Sequence, residues 1–201
     1  KKKIKLLPDK ILLTTKTPIS MSTILLTTKI PITISAGQTN LTGSATSRGG
    51  IILSIVNLNN INKIAIDIKL KEAYIPAGVP LEEFRNQVLM LSKSKLYYPV
   101  DPTSRNDALV GGTISCNASG FIPGEKGATR YWVNEIEMLL PNGNLVKAKR
   151  GDYISNKGIF ILKNDKEEII IPIPKYNRPK LKNASGPYSD PKGTIDFVDL
   201  I

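Results

Sequence analysis

The sequence predicts an α+β fold, in which strands and helices mix without the regular βαβ rhythm of a doubly wound sheet. Short segments rich in β-branched residues occur along most of the 201 residues, whereas residues 80–92 have helical periodicity. Apolar residues make up 41% of the chain, which is enough for a buried core. This length suits one large domain or two small subdomains that share a core.

Periodicity and turn residues place the individual elements. We expect strands at 11–16, 31–34, 51–56, 64–68 and 72–75, and a short helix at 19–28. The helix at 80–92 begins with a proline and two glutamates, and one of its faces is apolar: Leu81, Phe84, Val88 and Leu91. Residues 135–140 and 145–148 form a predicted hairpin, because Asn142 and Gly143 favour a tight turn. The stretch from Asn164 to Ser189 is rich in Pro, Lys and Asn, so we expect it to be irregular.

Two residue counts narrow the chemistry. The chain has no histidine, which excludes Ser-His-Asp and Cys-His catalysis within it, so we expect no metal site built on histidine. The single cysteine, Cys116, excludes an internal disulfide and fits a reducing compartment, so we expect a cytoplasmic protein. We expect Cys116 to be a buried small residue.

The net charge of +11 points to an anionic partner or to a solvated basic surface. The lysines are scattered and are not interleaved with aromatic residues, so we expect no nucleic-acid partner. No apolar run reaches the roughly 18 residues of a membrane-spanning helix, so we expect no transmembrane segment. The basic charge leaves peripheral contact with an anionic membrane surface open.

Residues 36–44, which follow a predicted strand, form the first candidate binding segment. Their sequence is Ala-Gly-Gln-Thr-Asn-Leu-Thr-Gly-Ser, and such small residues let backbone N–H groups converge on a phosphate. The pattern Gly-x4-Gly-Lys is absent, which excludes a P-loop NTPase. A plain β-turn loop is the alternative interpretation.

Three later segments also combine small and polar residues. They are Asp-Pro-Thr-Ser at 101–104, a run without long side chains at 111–120, and Gly-Ala-Thr-Arg at 127–130. Small residues allow the backbone to approach a planar ligand or another segment closely. Arg130 could meet an anion or serve a structural pair, and we expect Trp132 to lie in the core.

The order of these motifs carries a resemblance to a known family. The glycine-containing loop, Gly-Val-Pro-Leu at 78–81, Asp-Pro-x-Ser, Gly-Gly-x-Ile-x-x-Asn-Ala-x-Gly, Gly-Ala-Thr-Arg and Pro-Asn-Gly follow one another along the chain. As a set they resemble the FAD-binding domain of the vanillyl-alcohol oxidase / p-cresol methylhydroxylase type. This domain occurs in FAD-linked oxidases of the glycolate oxidase and D-lactate dehydrogenase kind. The resemblance runs from about Pro8 to Ile201.

The resemblance implies cofactor-binding roles for specific residues. The loop would bind the FAD pyrophosphate through backbone amides, and its members are Ala36, Gly37, Gln38, Thr39, Asn40, Leu41, Thr42, Gly43 and Ser44. The flavin and ribityl portions would be lined by Pro102, Thr103, Ser104, Gly111, Gly112, Ile114, Ser115, Asn117, Gly120, Ala128 and Thr129. Val133 would pack near the adenosine end. Ala36 and Gln38 stand where the family usually has glycine.

The resemblance also implies a domain organisation. Residues 1–201 would be one FAD-binding domain, with a first subdomain at about 1–75 that carries the pyrophosphate loop and a second at about 76–201. The second would lack its last strand-loop, and the cap domain would be absent. Because the chain has no histidine and Cys116 is expected to be buried, FAD would bind noncovalently.

The implied function is flavin-dependent dehydrogenation. FAD would accept a hydride from the α-carbon of a 2-hydroxy acid, a small-molecule substrate that would be held by the absent cap. No residue of the chain is assigned as the catalytic base. The alternatives are the flavin domain of an alkyl-glycerone-phosphate-synthase-like transferase and a non-catalytic nucleotide-binding module.

Overall fold

The computed structural model describes residues 3–6, 30–59, 64–140, 144–163, 168–174, 176, 189–190 and 194–200. Nine strands lie within these ranges: β1 (Lys3–Leu6), β2 (Ile32–Ser35), β3 (Ile51–Ser54), β4 (Ala65–Asp67), β5 (Glu72–Ile75), β6 (Val133–Leu139), β7 (Leu145–Lys149), β8 (Ile159–Lys163) and β9 (Glu168–Pro172). The α-helices described are α1 (Leu81–Leu91), α2 (Val110–Ser115) and α3 (Phe197–Leu200). Two short 3-10 helices, Glu125–Gly127 and Thr129–Trp132, precede β6.

The main sheet has five strands in the order β4-β5-β1-β6-β7. Strand β1 is parallel to both β5 and β6, whereas β4 and β7 join the edges in antiparallel hairpins. The sheet thus combines strands from residues 3–75 with strands from residues 133–149, which ties distant parts of the chain together. The division of the chain near residue 75 stays a prediction.

Two smaller sheets complete the strand pairing. Strands β2 and β3 are parallel, with Ile32 opposite Ile51 and Ser35 opposite Ser54. Strands β8 and β9 are antiparallel, with Ile159 opposite Pro172. The parallel β2–β3 pair is important for the candidate site, because β2 leads directly into the 36–44 loop.

Among the described residues, one large apolar cluster joins the main sheet, the three helices and strand β8. Helix α1 buries Leu81, Phe84 and Val88, which recur at helical spacing. Its fourth expected core residue, Leu91, is instead 46% exposed, because the helix ends there. The Phe84 ring lies 5.1 Å from the Tyr98 ring, which anchors α1 to the segment that precedes residue 101.

The predicted α+β fold is confirmed. The predictions of strands near 31–34, 51–56, 64–68 and 72–75, of the helix near 80–92 and of the hairpin strands all correspond to observed elements, with boundaries shifted by one or two residues. The predicted strand at 11–16 and the helix at 19–28 lie outside the described residues. None of the described helices is long and apolar enough to cross a membrane.

Two predictions about local structure were wrong or incomplete. Part of the stretch from Asn164 to Ser189 is strand β9, where Ile169 and Ile171 are partly buried and alternate with exposed positions. The three consecutive isoleucines at 169–171 outweighed the Pro- and Lys-rich composition around them. Helix α2 was not predicted, because two of its six residues are glycines with low helix propensity.

Candidate functional site

The loop at 36–44 begins with a tight turn at the end of β2. Ser35 is buried, and its Oγ accepts a hydrogen bond of 3.0 Å from Nε2 of Gln38. Gln38 itself has a φ of 55°, in the left-handed region that usually favours glycine. A glycine would adopt this backbone conformation readily. Here the hydrogen bond from the Gln38 side chain to Ser35 helps to hold the turn.

The rest of the loop is organised by its own polar side chains. Nδ2 of Asn40 donates to Oγ1 of Thr42 at 3.3 Å and also to Oγ of Ser44. Gly43 has a φ of 70°, and its carbonyl accepts the N–H of Thr46 at 2.9 Å.

The backbone donors of this loop are available to a ligand. In the described part of the chain, no backbone N–H from residue 37 to residue 43 donates to a backbone acceptor. Successive N–H groups on a backbone that alternates between right- and left-handed residues are a known way to bind an anion. The loop therefore has backbone donors that could hold a phosphate group.

Helix α2 packs directly against the start of this loop. A Cβ atom added to Gly112 would lie 2.9 Å from Cβ of Ala36. A Cβ on Gly37 would lie 2.0 Å from the carbonyl oxygen of Asp107 and 3.2 Å from Cα of Ala108. Glycine at both positions thus brings the 36–44 loop and the 107–112 segment into backbone contact.

The first turn of α2 is fixed by the segment that follows β5. The N–H groups of Val110 and Gly111 donate to the carbonyls of Val79 and Ala77 at 2.9 and 2.8 Å. A Cβ on Gly111 would lie 2.8 Å from Cβ of Ala77, so this approach also requires glycine. The Gly-Gly pair is therefore necessary for two different contacts.

The segment at 101–104 is joined through a turn to residues 107–108, which lie just before α2. The carbonyl of Ser104 accepts the N–H groups of Asp107 and Ala108 at 3.0 and 2.8 Å, and the carbonyl of Pro102 accepts the N–H of Arg105 at 3.0 Å. The side chain of Pro102 is buried, whereas that of Thr103 is exposed. This turn places the 101–104 backbone next to the 107–108 backbone that touches Gly37.

The residues after α2 pair with the segment that precedes β6. The carbonyl of Ala118 accepts two hydrogen bonds from Thr129, at 3.0 Å from its N–H and at 2.7 Å from Oγ1. Oδ1 of Asn117 accepts the N–H of Arg130 at 2.9 Å, and Gly120 donates to the carbonyl of Gly127 at 3.1 Å. These bonds lock residues 117–120 onto residues 127–130.

Tyr98 is buried and lies next to Thr129, one of the residues that pair with the 117–120 segment. Burial raises the pKa of the Tyr98 phenol above its ordinary value, and a hydrogen bond with Thr129 and the charge of Arg85 act in the opposite direction. Since Tyr98 also packs on Phe84 of α1, the phenol connects the core to the 128–129 segment. Its neutral form is the one that the fold stabilises.

The structure joins most of the residues that sequence analysis selected. Contacts run from Ala36 to Gly112 of α2, from Gly37 to residues 107–108, from residues 107–108 to Ser104, and from residues 117–120 to 127–130. Val133 differs from the rest, because its side chain is 2% exposed and belongs to the core at the start of β6. Ile114, Asn117 and Thr129 are also buried, so their side chains serve mainly to hold backbone in place.

The expectation that Cys116 is buried was wrong. Helix α2 turns Val110, Thr113 and Ile114 inward, at spacings of three and four residues. Ser115 and Cys116 therefore fall on its outer side, and the thiol of Cys116 is exposed.

The backbone of Arg130 and the ring of Trp132 have structural partners. Arg130 is 7% exposed, and its carbonyl accepts a hydrogen bond of 3.3 Å from Arg150. Trp132 packs against the core and donates from Nε1 to the carbonyl of Lys126 at 2.7 Å. The expectation of a core position for Trp132 is thus met in part, because its ring is only partly buried.

Sequence analysis did not select Asp101 as a site residue. Its Oδ1 accepts the N–H of Phe121 at 3.2 Å, which joins the 101–104 segment to the end of the 111–120 run. The sequence signal was present, since Asp101 opens the Asp-Pro-x-Ser motif, but nothing in the motif shows which group the carboxylate meets.

The sequence is similar to that of FAD-binding domains and of several named oxidoreductases. Residues 19–149 match the family model described as "FAD binding domain". The chain is 34% identical over 115 residues to a D-2-hydroxyglutarate dehydrogenase of Xanthomonas citri pv. viticola, an alignment covering 56% of this chain and 23% of that protein. It is 33% identical over 114 residues to a D-lactate dehydrogenase of Anaerostipes hadrus, covering 56% of this chain and 23% of that protein. The glycolate oxidase subunit GlcD of Bacillus subtilis is 30% identical over 110 residues, covering 54% of this chain and 22% of that protein.

A solved structure shows the same fold. The 6-hydroxy-D-nicotine oxidase of Arthrobacter nicotinovorans superposes with a TM-score of 0.51 at 20% identity, covering 65% of this chain and 28% of that protein. The matched part of this chain spans about a quarter of the length of its curated relatives. The family match extends over most of the described elements, from before β2 to the end of β7. The chain therefore belongs to the FAD binding domain family, as its motifs predicted.

Proposed function

We propose that this chain is the FAD-binding part of a flavin-dependent oxidoreductase and that it holds FAD noncovalently. The observation that carries the proposal is the contact of Ala36 and Gly37 with Gly112 and the 107–108 backbone. This contact brings the 36–44 loop against the start of α2, and both segments carry ligand-binding motifs. The family match supplies the identity of the ligand.

The pyrophosphate of FAD is proposed to bind at residues 36–44. Backbone N–H groups in this loop are free of backbone partners among the described residues, and Gln38 and Gly43 give the backbone its left-handed turns. A hydrogen bond to a charged oxygen contributes about 1.5–3 kcal/mol. The net charge of +11 adds a long-range attraction for the anionic cofactor.

The flavin and ribityl portions are proposed to lie along the remaining small-residue segments: residues 102–104, 111–115, 117–120 and 128–129. Gly111, Gly112 and Gly120 leave no side chain between the backbone and its neighbours. Asn117 and Thr129 would act through the backbone that they hold, because both side chains are buried. Val133 would support the adenosine end from within the core.

Noncovalent attachment is proposed because the chain has no histidine to form a histidyl link. Cys116 is the one thiol of the sequence, and it is exposed at the end of α2. The test is to load the chain with FAD, precipitate it with acid and measure flavin in pellet and supernatant. We expect the flavin in the supernatant, for both the natural chain and Cys116→Ser. Flavin that stays with the natural chain but leaves the Cys116→Ser variant would show a thioether instead.

The proposed substrate is a 2-hydroxy acid, which two of the relatives named above suggest by name: D-2-hydroxyglutarate and D-lactate dehydrogenases. Bound FAD would supply the hydride acceptor. This chain would orient the cofactor and provide its electrostatic environment, and no residue here is assigned as the base. Anaerobic mixing of the FAD-loaded chain with D-lactate, glycolate and D-2-hydroxyglutarate should leave the flavin oxidised. Rapid bleaching by any of them would show that the chain already contains a substrate site and a base.

A further inference from the structure

We propose that Asp101 is a positioning residue for the cofactor site, fixing the turn at Gly120 and Phe121 against the 101–104 segment. The inference rests on the proposed FAD function and adds to it a residue that contacts no predicted ligand group. The carboxylate of Asp101 lies between two segments that are both proposed to line the flavin and ribityl portions.

The backbone at Asp101 and Gly120 is in unusually close approach. A Cβ on Gly120 would lie 2.4 Å from Oδ1 of Asp101, and 2.6 Å from both its backbone N and its carbonyl carbon. Oδ1 also accepts the N–H of Phe121 at 3.2 Å. The absence of a side chain at Gly120 is what lets this carboxylate reach the next N–H.

The packing of Phe121 contributes little to this turn. The side chain of Phe121 is 72% exposed, so its own packing does not hold the turn. On the other side, Gly120 donates to the carbonyl of Gly127, and Ser119 forms a bridge with Ala128. Asp101 therefore connects the paired segments 117–120 and 127–129 to the 101–104 segment.

Loss of this hydrogen bond should affect the cofactor more than the fold. The core beneath the site is held separately by Phe84, Tyr98 and Val100, all of which are buried. A hydrogen bond to a carboxylate is strong enough to keep two surface segments in register. Without it, the 120–121 turn is free to move away from the 101–104 backbone, and the FAD-binding surface loses its shape.

The test compares three variants by FAD affinity and by melting temperature of the FAD-free chain. Asp101→Ala removes the acceptor, whereas Asp101→Asn keeps an oxygen for the Phe121 N–H. Asp67→Ala is the matched control, because Oδ1 of Asp67 accepts the N–H of Leu70 at 2.9 Å in the β4–β5 turn, which is outside the proposed site. Flavin fluorescence gives the Kd, and visible circular dichroism reports the environment of bound FAD.

We expect Asp101→Ala to raise the Kd for FAD about tenfold and to change the flavin dichroism, since tenfold corresponds to the strength of one such bond. Asp101→Asn should restore the Kd to within about threefold of the natural chain, and Asp67→Ala should leave it unchanged. An unchanged Kd for Asp101→Ala, or a fall in melting temperature with no change in Kd, would overturn the inference.

Two further outcomes are distinguishable. If the Asp101→Ala chain does not fold, Asp101→Leu tests the same contact, because leucine keeps a branched side chain of similar length and has no acceptor for the N–H of Phe121. A raised Kd for Asp101→Leu supports the inference, and an unchanged Kd overturns it. If the natural chain itself binds no FAD, the proposed function fails, and the role of Asp101 fails with it.

Discussion

Replacing Gly112 by alanine is expected to weaken FAD binding while the cofactor-free chain still folds. The new Cβ would lie 2.9 Å from Cβ of Ala36, whereas ordinary contacts begin at 3.4 Å, so helix α2 and the loop must separate by about half an ångström. Overpacking of this kind costs about 1–3 kcal/mol. Alanine in place of a helical glycine returns about 1 kcal/mol.

The two effects of the substitution act on different elements. The higher helix propensity of alanine stabilises α2, whereas the steric strain from its Cβ displaces Ala36 and the proposed phosphate-binding turn that follows it. If the displaced loop loses about 1.4 kcal/mol of cofactor binding, the Kd for FAD rises about tenfold. The unfolding free energy of the FAD-free chain should fall by at most about 2 kcal/mol, because the helical gain offsets part of the strain.

A double-mutant cycle separates this cause from a general defect. Ala36→Gly removes the methyl group that the new Cβ would meet, so the double variant Ala36→Gly/Gly112→Ala should regain most of the lost affinity. Kd values from flavin fluorescence for the natural chain, both single variants and the double variant complete the cycle. Equal affinity of Gly112→Ala and the natural chain, or strictly additive effects in the double variant, would refute the proposed contact between loop and helix.

Two further predictions concern the framework. Burial raises the pKa of Tyr98 in the folded state, so the fold is stabilised while the phenol is protonated in both the folded and the unfolded chain. This contribution to the free energy of unfolding is complete below about pH 10 and is lost as the pH rises further. Urea titrations at pH 8 and pH 11 should show this alkaline loss in the natural chain and a smaller one in Tyr98→Phe; identical losses would contradict it. Phe160 is fully buried and packs edge-to-face on Phe197 at 5.3 Å. We therefore expect Phe160→Ala to lower the free energy of unfolding by about 3–5 kcal/mol. Phe121 is exposed and provides the control: Phe121→Ala should change the free energy of unfolding by no more than about 0.5 kcal/mol. Equal losses of stability in the two variants would disprove the assignment of Phe160 to the core.

Local sequence patterns predicted the helix at 81–91 and the strands around the loop, because their apolar spacing and turn residues act over a few positions. The glycines at 112 and 120 were selected as places of close backbone approach, and Gly37 as part of a phosphate-binding loop. Each of the three has a neighbouring backbone or side-chain atom close to where a Cβ would be. Spacing alone could not show which segments meet, since the partner of Gly37 lies seventy residues later, at Asp107.

Other features depended on tertiary contacts. Helix α2 forms in spite of two glycines because its first N–H groups donate to the carbonyls of Ala77 and Val79. These are tertiary contacts, and helix propensity, which is a local property, does not account for them. The exposure of Cys116 follows from the orientation of that helix, so it could not be predicted before the helix was known. The carboxylate of Asp101 was missed for a similar reason, because its partner, the N–H of Phe121, is twenty residues away.

We propose that residues 36–44 bind the pyrophosphate of a noncovalent FAD. Parallel titrations of the chain with FAD and with riboflavin, which has the same ring system but no phosphate, test this proposal. Two hydrogen bonds to phosphate at about 1.5 kcal/mol each predict that FAD binds at least about a hundredfold more tightly than riboflavin. Equal dissociation constants for the two flavins, or no binding of FAD at all, would contradict the claim.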